Sequence, residues 1–179
     1  MPAAAPLSTL RSGFRPLLLA LLLALIHSAS ANGLNFTLPD LNGRPVRLAD
    51  FRGQWVIVNF WATWCTPCLL EMPELESFHQ AQRGRVVVIG VNFEDLAPNE
   101  IRPFVERLNI TFPIVLSDGK RVPDFQLKGL PTTFLVSPAG NLADTHLGTV
   151  NATLLAKRLA ELERASGSPP TNALTPAHP

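Results

Sequence analysis

The sequence predicts an α/β domain built on a mixed β-sheet with helices on both faces, and three observations predict it. Near-continuous apolar runs at Trp55–Trp61 and Arg85–Asn92 have the length of strands and the apolar character of central strands covered on both faces. Between them, Cys65–Gln82 carries Leu69, Met72, Leu75 and Phe78 near helical spacing. Strand, helix and strand in that order predict a parallel pair joined by a right-handed crossover. Further on, Thr132–Ser137 and Asn141–His146 flank Pro138-Ala139-Gly140, the pattern of an antiparallel hairpin, so the sheet is mixed.

In chain order, residues 1–31 stand apart from this domain. Arg11 and Arg15 precede an apolar run from Leu17 to Ile26, and Ala29-Ser30-Ala31 follows it. A run of about ten is half of the roughly 20 residues that cross a bilayer. Basic, apolar and small-residue segments in this order read as a secretory signal peptide cleaved after Ala31, with a retained membrane anchor as the alternative. Either way the domain is expected in the periplasm or on the outer face of the cytoplasmic membrane, where a disulfide can form and persist.

The domain itself is expected over residues 32–165. Phe36-Thr37-Leu38 and Val46-Arg47-Leu48 alternate around Asp40-Leu41-Asn42-Gly43, whose Asn-Gly step signals a tight turn, so an added N-terminal hairpin precedes the first central strand. Gly84 ends the first helix. Asn99–Leu108 is a second helix, with Pro103 expected to kink it or set its first turn. A short strand over Phe112–Leu116 stops at Ser117-Asp118-Gly119, and Asn151 is a good cap for a last amphipathic helix to about Arg164. Residues 166–179 hold four prolines and no apolar periodicity, as in a disordered tail.

Charge and cysteine count exclude several functions. Fifteen basic and 14 acidic residues leave a formal charge of +1, with three lysines and no basic run. Phosphate neutralisation needs clustered Lys and Arg, so nucleic acid is not an expected partner. Two cysteines cannot build a multi-bridge scaffold. Without a second pair, or histidines at ligand spacing, they cannot fill a four-ligand zinc site. Cys68 is followed by Leu69 and not by His, so the pair is not a haem attachment motif. No bound cofactor or metal is expected; the thiols are the chemistry.

They stand at the first strand-to-helix junction, Trp64-Cys65-Thr66-Pro67-Cys68. There Cys65 meets unpaired amide N–H groups and the positive end of the helix dipole, both of which favour a thiolate. Pro67 suits the first turn because its missing N–H has no partner to lose. Cys68, three residues on, can close a disulfide within one turn. A bridge that encloses about four residues restricts the unfolded chain by only about 2 kcal/mol, against about 3 for fifteen residues, so stability is a poor reason for it. Exchange is the better one: a thiolate of lowered pKa gains little as an attacker, since nucleophilicity falls with basicity, but it leaves well when the second thiol resolves the mixed disulfide.

With these residues in place, the chain resembles the thioredoxin-fold, TlpA/ResA-like exported thiol-disulfide oxidoreductases over about Asn35 to Arg164. The resemblance is carried by Leu38-Pro39-Asp40-Leu41-Asn42-Gly43 and Phe51-Arg52-Gly53, by Asn59-Phe60-Trp61-Ala62-Thr63-Trp64 ahead of the CxxC, and by Glu71-Met72-Pro73. Gly90-Val91-Asn92-Phe93-Glu94 and Gly129-Leu130-Pro131-Thr132-Thr133-Phe134-Leu135 complete it. It implies that Cys65 attacks and Cys68 resolves, and that Pro131 is a cis-proline beside the dithiol, with Trp64, Thr66, Pro67 and Leu130 as docking residues. Trp61 belongs either to that patch or to the core.

The resemblance also implies that a Glu on the loop after the second central strand, Glu94 or else Asp95, comes near the cysteines for proton transfer. Asn59 stands where cytosolic thioredoxin has a buried Asp and cannot titrate. Glu71 reads most simply as a first-turn helix acid near the positive dipole end. Client protein disulfides, apocytochrome c among them, are the implied substrates, and a membrane thiol reductant of the DsbD/CcdA type is the implied electron donor. A disulfide-introducing oxidant, or a thioredoxin-fold binding or chaperone module with an incidental CxxC, are the alternatives.

Overall fold

The computed structural model describes residues 33–167, which belong to a compact unit beginning at Gly33. The expected leader and all of the expected tail beyond Gly167 lie outside the described residues. The elements are β1 (Thr37–Pro39), β2 (Pro45–Arg47), a 3-10 turn (Leu48–Phe51), β3 (Trp55–Trp61), α1 (Thr66–Ala81), β4 (Val86–Asn92), α2 (Pro98–Arg107), β5 (Ile114–Leu116), β6 (Thr132–Val136), β7 (Leu142–Leu147) and α3 (Ala152–Ala165). β1 and β2 form the added hairpin, and the other five strands form one sheet in the order β5-β4-β3-β6-β7. β3 runs parallel to β4 and β4 to β5, whereas β6 is antiparallel to both β3 and β7. This is the thioredoxin-like α/β fold with a mixed sheet that the sequence predicts, with one correction: the α-helices, expected on both faces, all lie on one.

Period-two alternation along β3 sorts its side chains between two cores. Trp55, Ile57 and Trp61 join α1, α2 and α3 on one face, while Val56, Val58 and Phe60 face the other. The three α-helices share a face because β3, β4 and β5 step in one direction across the sheet, and right-handed crossovers then put α1 and α2 on the same side. A helix opposite them would have to come from the β5–β6 connection, which contains Gly119, Pro123 and Gly129 and forms turns. That face is covered by the hairpin, by the 3-10 turn through Leu48 and by Val122 and Phe125 of the connection. Phe125 anchors the connection, its ring centroid 5.0 Å from Phe134, 5.5 Å from Phe60 and 5.8 Å from Phe36.

Trp61 is fully buried and so belongs to the core. Its space is made by Gly90 on the paired strand, where an added Cβ would lie 2.6 Å from Ile114 Cδ1 and 3.3 Å from Trp61 Nε1. In α2 it is Pro98 that occupies the first turn; Pro103 sits inside the helix.

Candidate active site

β3 ends at Trp61, and Ala62–Trp64 turn the chain into α1. Cys65 is the N-cap of α1, with extended backbone, and its Sγ accepts the Cys68 N–H at 3.3 Å. The two sulfurs are bonded at 2.02 Å with Cα atoms 5.2 Å apart. Both residues are buried, Cys65 with 5% of its surface exposed and Cys68 with none. Around them Trp64 is 70% exposed and Thr66 and Pro67 are exposed, so three of the expected docking residues form one surface with Cys65.

The register of β3 against β6 places the proline. Phe60 pairs with Thr132, so Pro131 lies at the same end of the sheet as the β3–α1 junction. The Leu130–Pro131 peptide is cis, Pro131 is buried, and its carbonyl accepts the Gly148 N–H at 2.9 Å. Leu130 is half-buried.

Glu94 comes to this junction through β4. Trp61 pairs with Asn92, and two residues later the Glu94 carboxylate reaches back to Thr63. Oε2 accepts the Thr63 N–H at 2.6 Å and Asn92 Nδ2 at 2.9 Å, and Oε1 lies 2.9 Å from Thr63 Oγ1. A carboxylate with three donors is a strong acceptor site, and this one holds the residue two places before Cys65. Asp95, the alternative acid, is exposed and lies beside Gly119.

Glu71 is where the structure corrects the sequence reading. It lies beyond the first turn of α1 and is 2% exposed, so it is not an ordinary first-turn acid. Oε1 accepts Asn59 Nδ2 at 2.7 Å, and Oε2 accepts the Val150 N–H at 2.7 Å. Asn59 Nδ2 also lies 3.0 Å from Thr133 Oγ1, and its Oδ1 has no hydrogen-bond partner among the described residues. A polar chain of β6, β3, α1 and the segment before α3 thus runs through an otherwise apolar layer. Burial raises the Glu71 pKa to about 7 against the opposing pull of the Val150 and Asn59 hydrogen bonds. Glu71 lies three residues after Cys68, on the same face of α1. The signal was present: positions 68, 71, 72, 75 and 78 make one helical stripe, and Glu71 occupies a place on it that packing would give to an apolar residue.

Among the described residues, no group of three or more His, Cys, Asp or Glu is placed to hold a metal ion, and no helix is long and apolar enough to cross a membrane. The redox centre is the Cys65–Cys68 pair.

Residues 31–145 match the model of the AhpC/TSA family. The chain is 33% identical over 127 residues to the thioredoxin-like protein YneN of Bacillus subtilis, covering 70% of this chain and 75% of that protein. It is 32% identical over 132 residues to the thiol-disulfide oxidoreductase ResA of the same organism, covering 72% of each. Among solved structures, StoA from Bacillus subtilis superposes with a TM-score of 0.61 at 28% identity, over 73% of this chain and 99% of that one. A DsbE-like thiol:disulfide interchange protein from Chlorobium tepidum gives 0.65 at 25% identity, over 75% and 99%.

Proposed function

The chain belongs to the thioredoxin-fold, ResA/TlpA-like thiol-disulfide oxidoreductases matched by the AhpC/TSA family model, and from that premise we propose that it works as an extracytoplasmic reductase of client protein disulfides. That it is an enzyme of thiol-disulfide exchange acting through Cys65 and Cys68 follows from the family and the dithiol together. The observation that supports the assignment of roles is the asymmetry of burial: Cys65 keeps 5% of its surface exposed and Cys68 none.

In the reduced enzyme the Cys65 thiolate attacks one sulfur of the client disulfide, forming a mixed disulfide and releasing the first client thiolate. Cys68, deprotonated, then attacks Cys65 Sγ, the second client thiolate leaves, and the Cys65–Cys68 bond forms. The client gains two electrons and two protons, and the enzyme dithiol is oxidised. Glu71 is the acid placed to take the Cys68 proton, because burial raises its pKa to about 7 and it stands three residues after Cys68 on the same helix. Glu94 holds the loop that carries Cys65 in place through Thr63. Trp64, Thr66, Pro67 and Leu130 receive the client, whose extended segment is offered the backbone beside cis-Pro131.

The leader pattern Arg11, Arg15, Leu17–Ile26 and Ala29-Ser30-Ala31 supports export to the periplasm or the outer face of the cytoplasmic membrane. Apocytochrome c is the proposed client and a DsbD/CcdA-type membrane thiol reductant the proposed source of electrons. Reduction of insulin disulfides by the purified protein tests the reading: Cys65→Ser abolishes turnover, and Cys68→Ser accumulates mixed disulfides whose partners identify the clients. Retained turnover in Cys65→Ser removes the nucleophile. A reduction potential near the strong oxidants, about −120 mV, reverses the direction of electron flow.

A further inference from the structure

The docking surface around Cys65 continues into a groove. It has a volume of about 940 Å³, opens beside Trp64, and runs along residues 121–130 with Phe93 on its other wall. Its apolar base is fixed, since Val122 and Phe125 are buried and Phe125 packs edge-on against Phe134. Its rim is charged: Arg121, Asp124 and Lys128 are all exposed. Lys120, just outside, lies 3.9 Å from Asp118, but neither Arg121 nor Lys128 makes an ion pair among the described residues. The lining therefore carries one net positive charge. The described domain as a whole is one charge negative, because Arg11 and Arg15 fall outside it and leave its 14 acids in the majority.

We propose that this groove seats an extended segment of the client polypeptide next to its disulfide, and that Arg121 and Lys128 select clients bearing an acidic side chain there. The proposal rests on the exchange reading above and names the substrate class it works on. A fixed apolar base that starts at the residue before Cys65 suits a chain continuous with the attacked cystine. Cations without a partner on the rim of an otherwise acidic domain give the segment a sign. Exposed charges each contribute modestly and are screened by salt, so the selectivity is a few-fold effect seen best at low ionic strength.

The test uses fluorescein-labelled peptides of one scaffold in which the positions beside the cysteine are Glu, Gln or Lys, first with Ser in place of Cys so that no exchange occurs. Anisotropy titration of the purified oxidised protein at low salt is expected to show the Glu peptide binding about fivefold more tightly than the Lys peptide. The preference shrinks as salt is added, and Arg121→Glu/Lys128→Glu inverts it. Disulfide-bearing versions should follow the same order in kcat/KM. Equal affinities, an order that survives the charge reversal, or displacement of the peptide by oxidised glutathione at matched concentration would each overturn the proposal. Turnover of 2-hydroxyethyl disulfide, neutral and too small to fill the groove, reports the redox centre alone. If it is absent while the peptides bind in the expected order, the exchange reading fails and the groove stands; turnover without charge preference in peptide binding leaves the redox centre and removes the groove.

Discussion

Two buried acids near one disulfide behave differently because of what each touches. Glu94 is surrounded by donors, the Thr63 N–H, Thr63 Oγ1 and Asn92 Nδ2, and acts as a fixed acceptor. Glu94→Ala leaves the Thr63 N–H and the Asn92 amide short of an acceptor, and a buried donor stripped of its partner costs about 1–3 kcal/mol. The urea midpoint should fall accordingly, and Thr63→Val, which removes one hydrogen bond and keeps the N–H, should cost about 1 kcal/mol. An unchanged midpoint in Glu94→Ala would show that the carboxylate does not brace the loop. Glu71 has two donors, and burial raises its pKa to about 7. Its neighbour Asn59 suits either charge state, since turning the amide brings Oδ1 to Glu71 and lets a neutral carboxyl donate. The cysteines were legible in the sequence because a CxxC at a strand-to-helix junction is a local pattern. The Glu71 environment was not, because it is assembled from residues 12 and 79 positions away along the chain.

At the scale of elements, most of the fold was legible because strands β3 and β4 and helix α1 declare themselves by periodicity. What was not legible is how α3 is attached to α1. Asn151 caps α3 through its side chain, accepting the Leu154 N–H at 2.8 Å, as its residue type suggests. The helix entrance is also held by α1, where Glu71 accepts the Val150 N–H and Glu74 accepts the Ala152 N–H at 3.1 Å. Two carboxylates thus meet unpaired donors at a helix N-terminus, an arrangement favoured by the dipole but visible only once the two helices are side by side. Asn151→Ala is expected to cost about 1 kcal/mol and Asn151→Asp far less, read from thermal unfolding at constant pH. Equal losses in both would mean that the side-chain oxygen is not the cap. The β5–β6 connection shows the converse. Its glycines and proline break any helix there, so the face opposite α1, where the sequence reading expected helices, is closed by loop, hairpin and the 3-10 turn.

For the molecule as a whole, the burial of Glu71 makes stability depend on pH with a sign opposite to that of an ordinary paired carboxylate. In the folded protein its pKa is raised to about 7 from 4.5, so between those values the native state binds a proton that the unfolded chain does not. Stability contributed by this group is therefore fully present below about pH 4.5, falls as pH rises, and levels off above about 7. A difference of this size corresponds to about 3 kcal/mol across the window. His79, whose pKa burial lowers, and Glu76, held below its usual range by Thr111 and Gln80 once their hydrogen bonds outweigh its burial, both favour stability at higher pH and partly mask the slope. Their contribution cancels when the wild type is compared with Glu71→Gln, which cannot ionise and keeps an oxygen for one of the two donors. Urea unfolding of the oxidised protein at steps from pH 4.5 to 8.5 should then show the stability of Glu71→Gln relative to wild type rising by up to about 3 kcal/mol as pH increases, most steeply between pH 5 and 7. A constant difference across that range would mean that Glu71 is charged throughout. The proton proposed to move between Cys68 and this carboxyl during exchange would then have to go elsewhere.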